Sequence, residues 1–115
     1  MKPIAWWHWL PLRRTWRVVS VVDAGDQVPE RLPSRGVVLV GSRQRPTWAA
    51  FDCPCDTDHR LMINLDPARR PTWHIEATRR FTLRPSVDDV TNSRRCHFFI
   101  RNGKVIWAHR LQRNA

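Results

Sequence analysis

His97-Phe98-Phe99-Ile100-Arg101-Asn102-Gly103-Lys104-Val105-Ile106-Trp107 is the stretch that decides the fold. Aromatic and β-branched residues flank Asn102-Gly103, and that dipeptide is the strongest turn signal in the chain because both residues tolerate positive φ. A hairpin with strands over 97–100 and 104–108 is predicted. Outward from it, the β-branched runs 16–22 (WRVVSVV) and 37–40 (VVLV) read as strands, separated by the turn-rich 23–26 and the proline-marked 29–36. A short helical turn is expected over 28–32. Residues 48–52 and 59–65 form a second predicted hairpin, with Leu61, Ile63 and Leu65 alternating against Met62 and Asn64 and with 53–58 at its tip. Residues 72–77 and 81–83 read as two further strands, and the polar stretch 87–95 as an irregular connection. The expected fold class is therefore mainly β, all-β or α+β with little helix: antiparallel hairpins with a cysteine-bearing hairpin tip.

The 115 residues suffice for one domain, 1–115, with a core over 16–108 and a tryptophan-rich segment over 1–15 that docks on the domain or binds a partner. The run Trp6-Trp7-His8-Trp9-Leu10 is broken by His8 and ended by Pro11, so it does not read as a secretory signal. No stretch has the length of a membrane span, and no membrane partner is expected. Three cysteines cannot all pair, so the chain reads as a cytoplasmic protein with reduced thiols rather than a disulfide framework.

The cysteines fall in two clusters, Cys53-Pro54-Cys55 and Cys96-His97. Thiolates and imidazole are the soft ligands zinc prefers, so Cys53, Cys55, Cys96 and His97 form a candidate zinc site, with His59 or Asp58 as other fourth ligands. The alternative is three small buried thiols. The same second cluster also suits catalysis. A serine hydroxyl becomes nucleophilic when a histidine within reach takes its proton, and Ser86 and His97 sit at ends of predicted strands that can meet at one rim. Asp88, Asp89 or Asp52 would orient the imidazole. Cys96 is the alternative nucleophile, although adjacency sends its side chain and that of His97 to opposite faces of a strand.

The formal charge is +10, and 18 of the 20 basic residues are arginine. Pairs such as Arg13-Arg14, Arg69-Arg70, Arg79-Arg80 and Arg94-Arg95 would attract a polyanion if they converged, but they are scattered. A nucleic-acid partner is thus an alternative resting on charge alone. Among seven tryptophans, Trp48, Trp73 and Trp107 fall in predicted strands and are expected to fill the core, each indole N–H finding a backbone partner.

An ordered set of motifs carries a resemblance. Asp23-Ala24-Gly25-Asp26, Pro29-Glu30-Arg31-Leu32-Pro33, Phe51-Asp52-Cys53-Pro54-Cys55, Asn64-Leu65, Arg70-Pro71-Thr72-Trp73, Thr82-Leu83-Arg84-Pro85-Ser86-Val87 and the final hairpin together resemble the BubE-type family, small bacterial proteins attached to ubiquitination-like operons. The resemblance implies a peptidase that processes or deconjugates a bacterial ubiquitin-like protein beside its activating and conjugating enzymes. It implies Ser86 as nucleophile and His97 as general base, with backbone N–H groups of 87–95 stabilising the oxyanion. Members commonly carry C-P-C-G-C and G-C-x-S-H. This chain has Asp56-Thr57 after its C-P-C and Arg94-Arg95-Cys96-His97 before the hairpin, so two cysteines have no counterpart and Cys96 stands where a serine is usual. A zinc-stabilised protein-binding module without catalysis is the alternative.

Overall fold

Val37, Val38 and Leu39 are wholly buried and Val40 nearly so, which means that this strand is covered on both faces. Such a strand needs apolar residues at every position rather than every second one, and VVLV provides them. In the computed structural model, which describes residues 4–10, 14–55, 59–77, 80–91 and 94–108, this strand is the second of eight. They are β1 (Arg17–Val22), β2 (Gly36–Gly41), β3 (Pro46–Asp52), β4 (Arg60–Asn64), β5 (His74–Ala77), β6 (Phe81–Thr91), β7 (Arg94–Arg101) and β8 (Lys104–Trp107). Two four-stranded sheets result, in the orders β1-β2-β3-β4 and β5-β6-β7-β8. The mainly β expectation holds.

The pairing is antiparallel except between β1 and β2, which run parallel. Parallel strands need a crossover, and residues 23–35 make it, with one 3-10 turn at Gly25–Gln27 instead of the turn expected over 28–32. Gln27 closes that turn by accepting the backbone N–H groups of Asp23 and Ala24 on its side-chain oxygen, at 2.9 and 3.1 Å. The crossover brings Leu32 and Val28 onto one face of the first sheet, against Val19, Val22, Val38, Val40 and Ala50.

The other face of the first sheet meets the second sheet. Leu39, Phe51, Leu61 and Ile63 pack there against Phe81, Leu83, Phe98 and Ile100. Trp16, Phe51, Phe98 and Trp107 run edge to face through this layer, with successive ring centroids 5.5, 6.4 and 6.3 Å apart. Each fully buried ring contributes roughly 2–3 kcal/mol. The predicted hairpin turns at Asn102 (φ 51°) and Gly103 (φ 77°), as the Asn-Gly signal requires.

Gly103 also closes a ring of three backbone hydrogen bonds. Trp16 N–H donates to Gly103 O (2.9 Å), Gly103 N–H to Phe81 O (2.8 Å), and Phe81 N–H to Trp16 O (3.1 Å). A Cβ at position 103 would run into Thr15, so glycine is required for this approach as well as for its φ.

The polar stretch 87–95 is not a loop. Its 87–91 portion continues β6 and pairs in register with β7, Val87 opposite Phe98 and Thr91 opposite Arg94; residues 92 and 93 lie outside the described set. The alternation explains this: Val87 and Cys96 face the core, while Asp88 and Arg95 pair on the outer face. The tryptophan-rich segment forms a 3-10 turn over Trp6–Trp9. The buried Arg17 anchors it, donating to His8 Nδ1 (2.9 Å) and His8 O (2.7 Å), while Trp6 and Trp7 stay exposed and Arg31 stacks over the Trp9 ring. No described helix is long and apolar enough to cross a membrane.

Candidate functional site

Pro85 has no N–H to donate, so it cannot continue a ladder in mid-strand. The strand yields there. Leu83 pairs with Ile100 and Val87 with Phe98, so Arg84, Pro85 and Ser86 together stand against the single residue Phe99. Such a bulge re-aims side chains, and bulges recur beside reactive sites. Here Ser86 Oγ is brought to 2.9 Å from His97 Nε2, on the outer face of the second sheet, both residues being partly buried. A hydroxyl that donates to an unprotonated imidazole nitrogen at this distance can hand over its proton as it attacks.

The three aspartates differ in where the fold places them. Asp88 stands directly across the ladder from His97. Two hydrogen bonds from the Arg95 guanidinium, at 2.8 and 2.7 Å, hold its carboxyl below the usual value; partial desolvation opposes this, and the neighbouring charges of Arg95 and His97 lower it further. Asp89, one residue on, faces the other way and meets His59 Nε2 at 3.0 Å. Asp52 is paired with Arg60 at 2.8 Å, at the β3–β4 end of the first sheet.

Cys96 and His97 point to opposite faces of β7, as adjacency requires. Cys96 is buried against the first sheet and is joined to Cys55 in a disulfide that spans 41 residues. This corrects the expectation of reduced thiols: the β3–β4 corner is folded onto β7, with Cys53 N–H bonded to His59 O and the His59–Asp89 contact beside it, so the two sulfurs are brought together by the packing itself. In this form the Cys96 sulfur is bonded and cannot serve as a nucleophile. Cys53 remains a free, buried thiol.

The three cysteine sulfurs lie within 4.8 Å of one another. That is the spacing of a metal ligand set, but two of the three are consumed by the disulfide. Among the described residues no histidine or carboxylate joins the cluster: His97 Nε2 lies at Ser86 and His59 at Asp89. Asp58 lies outside the described residues. A closed tetrahedral site needs four donors, so the described set does not fit zinc in the disulfide form.

Four of the arginines are engaged within the fold. Arg60, Arg84 and Arg95 are ion-paired, and Arg17 is buried against backbone carbonyls. Arg13 and Arg79, members of two of the arginine pairs, lie outside the described residues.

The family model described as "Bacterial ubiquitination-like system serine protease (BubE)" matches residues 24–108. The chain belongs to the BubE family. The match spans both sheets apart from β1, and includes Ser86 and His97 as well as all three cysteines. Family membership therefore connects the chain to a serine protease of the bacterial ubiquitination-like system. No curated protein and no solved structure matches the chain.

Proposed function

We propose that this BubE-family chain is a peptidase that processes or deconjugates a bacterial ubiquitin-like protein, with Ser86 as nucleophile and His97 as general base. The observation that carries the reading is the 2.9 Å approach of Ser86 Oγ to His97 Nε2, in a chain that belongs to a serine-protease family. Ser86 Oγ attacks the carbonyl carbon of the modifier's C-terminal glycine as its proton passes to His97 Nε2. Collapse of the tetrahedral intermediate breaks the bond to the leaving amine, which takes that proton from His97. Water, deprotonated by the same imidazole, then attacks the acyl carbon; the bond to Ser86 Oγ breaks, and Oγ takes back the proton from His97.

Asp88 is the carboxylate best placed to favour the transient imidazolium, since it lies opposite His97 and is kept ionised by Arg95. Residues 87–91 form a ladder with β7 and not the loop from which oxyanion donors were expected. The activating and conjugating enzymes of the same system are the expected partners, and uncompensated arginine charge suits an acidic modifier surface.

The test is incubation with a ubiquitin-like precursor of a bacterial ubiquitination-like system. Cleavage by the wild type, lost in Ser86→Ala and His97→Ala but retained in Cys96→Ala, is expected. A wild-type protein that leaves the precursor intact overturns the reading.

The close approach of three sulfurs supports a second reading, a zinc-held corner in the reduced protein with a purely binding role. It predicts stoichiometric zinc uptake on reduction, measured by elemental analysis. Reduced protein that retains no zinc after gel filtration removes it.

A further inference from the structure

Ser86 is held by its backbone as well as approached by its base. The Trp73 indole Nε1–H donates to Ser86 O at 3.2 Å, reaching the bulge from the residue before β5. Trp73 is itself tied, its backbone N–H donating to Asn64 O at 2.9 Å. Asn64 is the most heavily used side chain of the region. Its Nδ2 group shares its hydrogens among Asp66 O, Arg69 O and Pro71 O, at 3.1, 3.1 and 3.0 Å, and its Oδ1 accepts Asp66 N–H at 3.0 Å. Asn64 is buried and ends β4 in the first sheet. A continuous set of hydrogen bonds therefore runs from the end of the first sheet, through the 65–73 connection, to the carbonyl of the candidate nucleophile in the second.

A bulge is where such support matters. Three residues stand against one there, so the ladder alone leaves the backbone of Ser86 poorly specified, and a bond that pins its carbonyl restrains the backbone from which the Cα–Cβ bond carrying Oγ projects. Shifts well under 1 Å in a reacting atom are costly to rate. We propose that Trp73 is a positioning residue: it fixes Ser86 through its carbonyl and so holds Oγ in line with His97. The inference rests on the proposed role of Ser86.

The readout is phosphonylation of the full-length protein by an alkyl fluorophosphonate. Ser86 Oγ bonds to phosphorus, fluoride leaves, and the hydroxyl proton passes to His97. Trp73→Phe keeps an aromatic body and loses the donor; Trp73→His keeps a ring N–H and gives up more apolar area. A positioning role predicts that Trp73→Phe labels about tenfold more slowly than wild type, and that Trp73→His labels faster than Trp73→Phe despite a lower melting temperature. A role in packing alone predicts the opposite order. Equal or reversed labelling order, or a Trp73→Phe variant that labels at the wild-type rate, overturns the proposal. Labelling that survives in Ser86→Ala instead overturns the assignment of the nucleophile, a separate outcome.

Discussion

The two sheets are built from similar residues and put to different use. The first is closed on both sides: one face packs on the second sheet, and the other is covered at β1 to β3 by the 23–35 crossover. The second is closed on one side only. Its inner face carries Phe81, Leu83, Phe98 and Ile100, and its outer face carries Ser86, Asp88, His97 and Arg101. Within β7 the division occurs between neighbours, Cys96 turned inward to the disulfide and His97 outward to Ser86. A sheet with both faces sealed can only be scaffold, whereas a sheet with one open face can present polar groups to a substrate without a cost in burial. The difference also means that stability and activity can be perturbed separately.

The largest expected separation lies at Ser86. Replacement by alanine lowers precursor cleavage by about a thousandfold or more, while the denaturation midpoint in urea moves by less than about 0.5 kcal/mol equivalent. A large loss of stability in that variant would break the comparison, because the outer face would then also be part of the core. Leu39→Ala acts in the opposite sense, destabilising the folded state by about 2–5 kcal/mol through the cavity it leaves in β2. At a denaturant-free temperature well below its midpoint, this variant should cleave at close to the wild-type rate.

The disulfide lies on the inner side, and its removal by Cys55→Ser should cost about 2–4 kcal/mol, seen in chemical denaturation with and without reductant. The reductant should affect the wild type and leave Cys55→Ser unmoved. Asn64→Ala should cost about 1–3 kcal/mol by leaving several loop carbonyls without their donor. Its labelling by fluorophosphonate should fall as well, since the 65–73 connection that carries Trp73 loses the Asn64 side chain bonded to Asp66, Arg69 and Pro71.

The smallest effect belongs to Asp88 and concerns pH. Its folded-state pKa is depressed by Arg95, so the unfolded chain binds more protons on acidification. The contribution is present above the ordinary carboxylate value near 3.8 and is lost as the pH falls below it. The pair is exposed to solvent, so the effect is small. Asp88→Asn should flatten the acid limb of the stability curve, and an unchanged limb would show that the pair contributes nothing.

Much of this was legible in the residues. Asn102-Gly103 located its hairpin because a two-residue turn imposes a local demand on φ. VVLV located a strand, and its lack of alternation was the sign that the strand is covered twice. Three features were not legible. The polar run after Ser86 looked irregular because it has few apolar residues to mark the alternation, and Asp88 and Asp89 meet Arg95 and His59 only once 87–91 has paired with β7. The disulfide escaped because an odd number of cysteines without a secretory signal argues for thiols, and only the docking of the β3–β4 corner brings Cys55 to Cys96. The indole N–H of Trp73 was expected to find a backbone partner, but nothing local singles out the carbonyl of Ser86, 13 residues away, as that partner. A proline within an otherwise extended run was a usable signal for the bulge at Ser86.

The ring of hydrogen bonds among Trp16, Phe81 and Gly103 has a consequence for the order of synthesis. Its three members come from near the start, the later middle and the last turn of the described chain. During translation two of the three bonds cannot exist until Gly103 has left the ribosome, so the sheets cannot be locked together while the nascent chain is still short. Contacts this distant in sequence also slow folding after release. A nascent chain halted before Asn102 should therefore remain open to protease, and one extended past Trp107 should become resistant.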